Sequence, residues 1–115
     1  MTTAKLFDTW ESVRDYALTL PDAEPASASV KVHGKAFVYP GHERGSFCVH
    51  SPIDEKEMLM RTDPDTFWES PHYSGWPAVL VRFGSADRRR IELIIRRAWW
   101  ERASKAQRAA FGDRP

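Results

Sequence analysis

The sequence is short of the features that make chemistry easy to assign. It has one cysteine, Cys48, so no intrachain disulfide can form and the fold must rest on its core. It has no long apolar run. Runs such as Ala78-Val79-Leu80-Val81 and Leu93-Ile94-Ile95 are far below the roughly 20 residues of a membrane-spanning helix, so no membrane partner is expected. Neither charge dominates: 17 Lys+Arg face 16 Asp+Glu, for a net charge of +1, unlike a strongly basic nucleic-acid-coating domain. Met1 to Phe7 carries one lysine and no apolar stretch, so no secretory leader is expected and the expected compartment is the cytoplasm. The Walker A, G-x-G-x-x-G and G-x-S-x-G patterns are missing, and with them the commonest nucleotide and hydrolase assignments. His33, His42, His50, His72 and Cys48 fall at no recognised metal-ligand spacing. No metal, no cofactor and no catalytic residue is assigned.

What is present suits one domain. The 115 residues are 42% hydrophobic and include five tryptophans, enough for a core without a metal or disulfide staple. A single domain over residues 1–115 is expected, with an ordered core of about 6–111. The charge is polarised: residues 1–79 hold 7 Lys+Arg and 12 Asp+Glu, a balance of −5, whereas residues 80–115 hold 10 and 4, a balance of +6.

The patterning predicts an α+β fold: an antiparallel sheet, made of two successive hairpins and a later strand, packed against an N-terminal helix and a long C-terminal helix. Asp8 and Glu11 have capping-box spacing before Trp10, Val13, Ala17 and Leu20, which recur at helical intervals until Pro21. Pro21 to Pro25 reads as a turn. Ala28, Val30 and Val32 then alternate with polar residues, and His33-Gly34 predicts a tight hairpin pairing Val32 with Lys35, Val30 with Phe37 and Ala28 with Tyr39. Pro40 to Gly45 is a polar loop before a third strand, Ser46 to Ser51. Asp54 and Glu57 predict a capped second helix, Asp63-Pro64 a further helical turn over 65–69, and Ala78 to Phe83 a strand. Ser85 or Asp87 caps a last helix running to Gly112, with Ile91, Ile94, Ile95, Ala98, Trp99 and Ala106 as its core stripe.

Several groups are candidates for function. Cys48 and His50 share a strand face, the arrangement of an activated thiolate, although a lone strand cysteine is more often a small buried hydrophobe. Glu55/Glu57 and Asp63/Asp65 are better read as helix-end carboxylates. Arg89, Leu93, Arg96, Arg97 and Trp100 form the outward side of the last helix. Arginines there can pair with phosphates and Trp100 can stack on a base; the same set can also form a protein-binding hot spot, or the tryptophan can be covered by the chain itself. His72, Tyr73 and Trp76 can form a ligand or partner platform, or a loop folded over the core.

The segment Pro71-His72-Tyr73-Ser74-Gly75-Trp76-Pro77-Ala78-Val79-Leu80-Val81-Arg82 resembles the MmcQ/YjbR family of small bacterial proteins. Leu18 to Ala23, Val30 to Phe37, Asp63 to Phe67 and Ala98-Trp99 fit in the same order, so the resemblance covers about residues 6–103. It implies a compact α+β fold and a double-wing mode of DNA binding in which hairpins are the wings. On this sequence the wings are the His33-Gly34 and Pro40 to Gly45 loops, with Lys31, Lys35 and Arg44 on or near them. Arg89, Arg96, Arg97 and Trp100 on the last helix complete the expected DNA surface. Glu43, beside Arg44, opposes it. A protein partner at Leu93 and Trp100, or a small molecule at Tyr73 and Trp76, are the alternatives.

Overall fold

A computed structural model describes residues 6–115; Met1 to Lys5, on which part of the leader reading rests, lie outside the described residues. Helix α1 (Trp10–Ala17) starts one residue later than the expected cap. Thr9 is extended, its hydroxyl accepts from the Ser12 N–H at 3.1 Å, and the Ser12 hydroxyl accepts from the Thr9 N–H. Thr9 and Ser12 thus replace Asp8 and Glu11 as the reciprocal cap, while Glu11 sits in the first turn, where its charge favours the helix dipole.

Strands β1 (Glu24–Ala26), β2 (Ser29–Val32), β3 (Lys35–Tyr39) and β4 (Ser46–His50) follow as consecutive antiparallel neighbours. Strand β1 occupies part of the segment read as a turn; Pro25 is tolerated because β1 is an edge strand. His33 and Gly34 both have positive φ, 53° and 72°, as a two-residue turn matched to strand twist requires. Val32 pairs with Lys35 as expected, but Val30 pairs with Val38 rather than Phe37, because the register slips between Val30 and Lys31. Phe37 and Val38 are consequently both buried.

Helix α2 (Ile53–Thr62) starts after Pro52 with no side-chain cap, so Asp54 and Glu57 do not form the expected box. The residues expected as a helical turn after Pro64 form instead a two-residue edge strand, β5 (Phe67–Trp68), paired with β6 (Ala78–Arg82) through Phe67↔Val81. The Phe67 N–H reaches back to the Asp63 carbonyl at 3.0 Å, turning the chain so that the aromatic pair meets the sheet edge. A 3-10 turn at Pro71–Tyr73 joins β5 to β6. The six strands run in the order β1-β2-β3-β4-β6-β5, all antiparallel.

The last helix is two helices. Asp87 caps α3 (Arg88–Arg102) by accepting from the Arg90 N–H, and Ser104 with Gln107 forms a new capping box for α4 (Lys105–Phe111). Ala103 between them is extended, so Ala106 leaves the core stripe and is exposed. The remainder of the stripe, Ile91, Ile94, Ile95, Ala98 and Trp99, is buried against one face of the sheet with α1, Leu59 of α2, and Val30, Val32, Phe47, Val49, Val79 and Val81. Trp99 is fully buried, and its indole N–H donates to the Pro21 carbonyl at 2.8 Å, tying the end of α3 to the turn before β1.

Candidate functional site

Strand alternation decides what the other sheet face carries. Since Phe47, Val49, Val79 and Val81 point to the helices, Cys48, Ala78 and Leu80 point away, joined there by Tyr39 and Trp68. Among the described residues, none of the apolar side chains clustered on this face comes from an α-helix; Tyr73, on the 3-10 turn, closes over Cys48 and Leu80. Its segment is held by Lys56 of α2. The Lys56 side chain is 2% exposed, and its ammonium donates to the Tyr73 carbonyl at 2.8 Å and the Trp76 carbonyl at 2.9 Å, and pairs with Glu69 at 2.7 Å. Three acceptors match the three donors of an ammonium group, so none of them is left unsatisfied in the interior.

Between this segment and the loop leaving β3 lies a cleft of about 430 Å³, lined by Ala28, Tyr39, Pro40, Gly41 and His42 and by His72, Tyr73 and Trp76 of the segment. The His42 and His72 rings stand 4.2 Å apart, and His72 meets Tyr73 edge-on at 4.7 Å. The Tyr73 hydroxyl accepts from the His42 backbone N–H at 3.1 Å. Gly41 is required: its φ is +79°, and a Cβ there would meet Leu80 at 3.3 Å and Cys48 at 3.4 Å, so only glycine lets the loop lie this close to the sheet. His42, His72 and Trp76 are exposed, Trp76 at 62% the most exposed large apolar side chain among the described residues.

Beneath the cleft the titratable groups are held neutral. Burial pushes the Cys48 thiol up to about 11, opposed by hydrogen bonds with Tyr39 and Tyr73 and by the charge of Lys56. Burial likewise raises the Tyr39 and Tyr73 hydroxyls, and Cys48 adds to both shifts. Burial, reinforced by the Arg102 charge and opposed by Glu101, lowers His50 to about 4. A protonated thiol beside a neutral imidazole is no activated nucleophile; Cys48 acts as packing, the blander of the two sequence readings. Among the described residues there is no group of three or more His, Cys, Asp or Glu able to hold a metal.

The basic residues divide into committed and free. Arg96 donates to the Tyr16 hydroxyl at 2.9 Å, and Arg97 pairs with Glu55 at 3.1 Å while also bonding the Pro115 carbonyl. Arg90 pairs with Asp63, and Arg114 with Glu55 and Glu101. Glu55, in the first turn of α2, and Asp63, at its C-cap, thus also fasten the helix layer. Trp100 is half-buried under α4, with its ring 6.1 Å from Phe111 and 5.6 Å from the Arg108 guanidinium, and Leu93 is half-buried as well. Lys35, Arg44 and Arg89 are exposed and Lys31 is half-buried. The structure thus brings His72, Tyr73 and Trp76 together, with His42 and Tyr39 added.

Lys56, Tyr39 and Gly41 had no place among the sequence candidates. A signal for Lys56 existed: it falls three and four residues before Leu59 and Met60, inside the apolar stripe of α2, where a lysine has to find buried acceptors.

The YjbR family model matches residues 18–101. Uncharacterized proteins of Mycobacterium bovis and Mycobacterium tuberculosis are 38% identical over 56 residues, covering 49% of this chain and 43% of their own length. The matched segment spans less than half of these curated relatives. No solved structure gives a significant match.

Proposed function

The chain belongs to the YjbR family, and on that membership we propose that it is a non-enzymatic DNA-binding protein that holds phosphates through its two hairpin loops. The observation carrying this reading is where uncommitted positive charge lies. Lys35, Arg44 and Arg89 are exposed, and none has an acidic partner among the described residues. Lys35 follows the His33-Gly34 turn, and Arg44 lies in the loop at the far end of β3. A strand rise of about 3.3 Å per residue puts the two ends of β3 about 13 Å apart. That is comparable with the roughly 12 Å width of the major groove, so the two cations suit phosphates on its opposite sides. Arg89 adds a third charge at the Arg44 end, since the Phe83 N–H bonds the Gly45 carbonyl and brings the start of α3 there. Lys31 faces Glu24 across β1 and β2 and contributes less. Arg96, Arg97 and Trp100, already engaged within the helix layer, support the surface rather than form it. The cover over Trp100 also disfavours a protein interface centred on that residue.

Anisotropy of a labelled duplex tests the reading. Three phosphate contacts give a salt slope of about −2.7, a loss of roughly 40-fold in affinity between about 50 and 200 mM salt. Substituting Lys35, Arg44 and Arg89 together by glutamine removes that binding, while Arg96→Gln leaves its salt slope unchanged. Equal binding by the triple variant, or none by the wild-type chain at low salt, overturns the proposal.

A further inference from the structure

The cleft on the Cys48 and Leu80 face of the sheet has a composition that phosphate binding does not use. None of its lining side chains is Asp, Glu, Lys or Arg, so it is not built to recognise an ion. Its walls are rings. Trp76 is exposed but not adrift: its own carbonyl and that of Tyr73 are fixed by the buried Lys56 ammonium. An aromatic face left open on an anchored segment is a preorganised stacking platform, because little freedom remains to be lost when a ligand is ordered on it. The volume of about 430 Å³ lies in the range of small-ligand sites.

The polar groups at the rim narrow the ligand further. Neither the His42 nor the His72 imidazole makes a hydrogen bond to another described residue, and each ring offers donor and acceptor nitrogens at a solvent-exposed position. The Tyr73 hydroxyl is already engaged by the His42 N–H, so recognition falls to the imidazoles. A ligand matched to this cleft is flat, uncharged, apolar on its faces and hydrogen-bonding on its edge. From this we infer that the cleft between the β3–β4 loop and the 71–77 segment binds one heteroaromatic ring of the nucleobase class, stacked on Trp76 and read at its edge by His42 and His72. The ring can come from a free nucleoside or from an unpaired base of a strand. The inference does not rest on phosphate contacts at Lys35, Arg44 or Arg89.

The test is NMR on the full chain, following the Trp76 indole N–H and the His42 and His72 ring signals. Adenosine and cytidine are titrated first, with ribose 5-phosphate as the control that lacks the base, and a short single-stranded oligonucleotide in a separate arm. Saturable shifts at those three residues with a nucleoside but not with ribose 5-phosphate identify a free-ligand site. The same shifts with the oligonucleotide alone identify a strand base as the source. In either case Trp76→Ala weakens binding by roughly tenfold or more, the scale of one base-aromatic stack, and Trp76→Phe restores part of it. His72→Ala, also at an exposed position, is the second variant and weakens binding of the same probe. The inference is overturned if no probe shifts these signals, if ribose 5-phosphate shifts them equally, or if Trp76→Ala binds as the wild-type chain does. Since the Lys35, Arg44 and Arg89 variant retains nucleoside binding on this account, failure here and failure of duplex binding are told apart.

Discussion

The two faces of the sheet are built on different principles. The helix-covered face is closed by apolar side chains from three helices, and Arg90, Arg96 and Arg97 of α3 are spent on Asp63, Tyr16 and Glu55. The other face is closed by one short segment, held by one lysine, and it leaves three rings in solvent. The charge asymmetry in the sequence pointed to the first face; the unsatisfied binding capacity lies on the second and at the strand ends. A run of basic residues is thus a weak guide to a binding surface until its acidic partners are placed.

Breaking the closed face gives the largest effect. Trp99→Ala removes the largest fully buried side chain and leaves the Pro21 carbonyl without its donor; a loss of about 4 kcal/mol in urea unfolding is expected. The open face yields next. Lys56→Met keeps the volume but strips the donors from two carbonyls and leaves Glu69 unpaired, for a loss of about 3 kcal/mol. It also frees the 71–77 segment, so protease cleavage within it at native conditions separates this variant from Trp99→Ala, whose damage is global.

The smallest effect sharpens the contrast through pH. His50 is held neutral, with its folded-state pKa near 4 against an unfolded 6.5. The unfolded chain therefore binds the proton first as pH falls, so stability is full above about 6.5 and declines toward 4. Residual solvent contact discounts the size to about 1 kcal/mol. His50→Gln should flatten unfolding midpoints across that window; an unchanged pH profile would remove His50 as the cause.

Much of the fold was legible in local pattern. Period-two alternation located β2 and β6, and helical spacing located the five buried residues of α3, because each pattern reports which side of one element meets the core. The misses share a physical cause. Strand β5 and the Phe37 register slip depend on what lies across the sheet, and the split between α3 and α4 on Ser104 and Gln107 outcompeting continuation of an otherwise helix-favouring run. Of the aromatic platform, His72, Tyr73 and Trp76 were visible as a cluster, whereas Tyr39 and Gly41 lie some thirty residues earlier in the chain and nothing local connects them.

The sequence by itself determined the α+β class, the family, the hairpin turn at His33-Gly34 and the helix-facing stripe of α3, since all are written in short-range spacing and turn chemistry. Only the tertiary structure decided which arginines are free, which tryptophan is exposed and where the cleft lies. Charge neutralisation and burial are properties of neighbours brought together from distant parts of the chain: Trp100 is covered because α3 breaks and α4 folds back, and Trp76 stays exposed on a backbone that Lys56 holds.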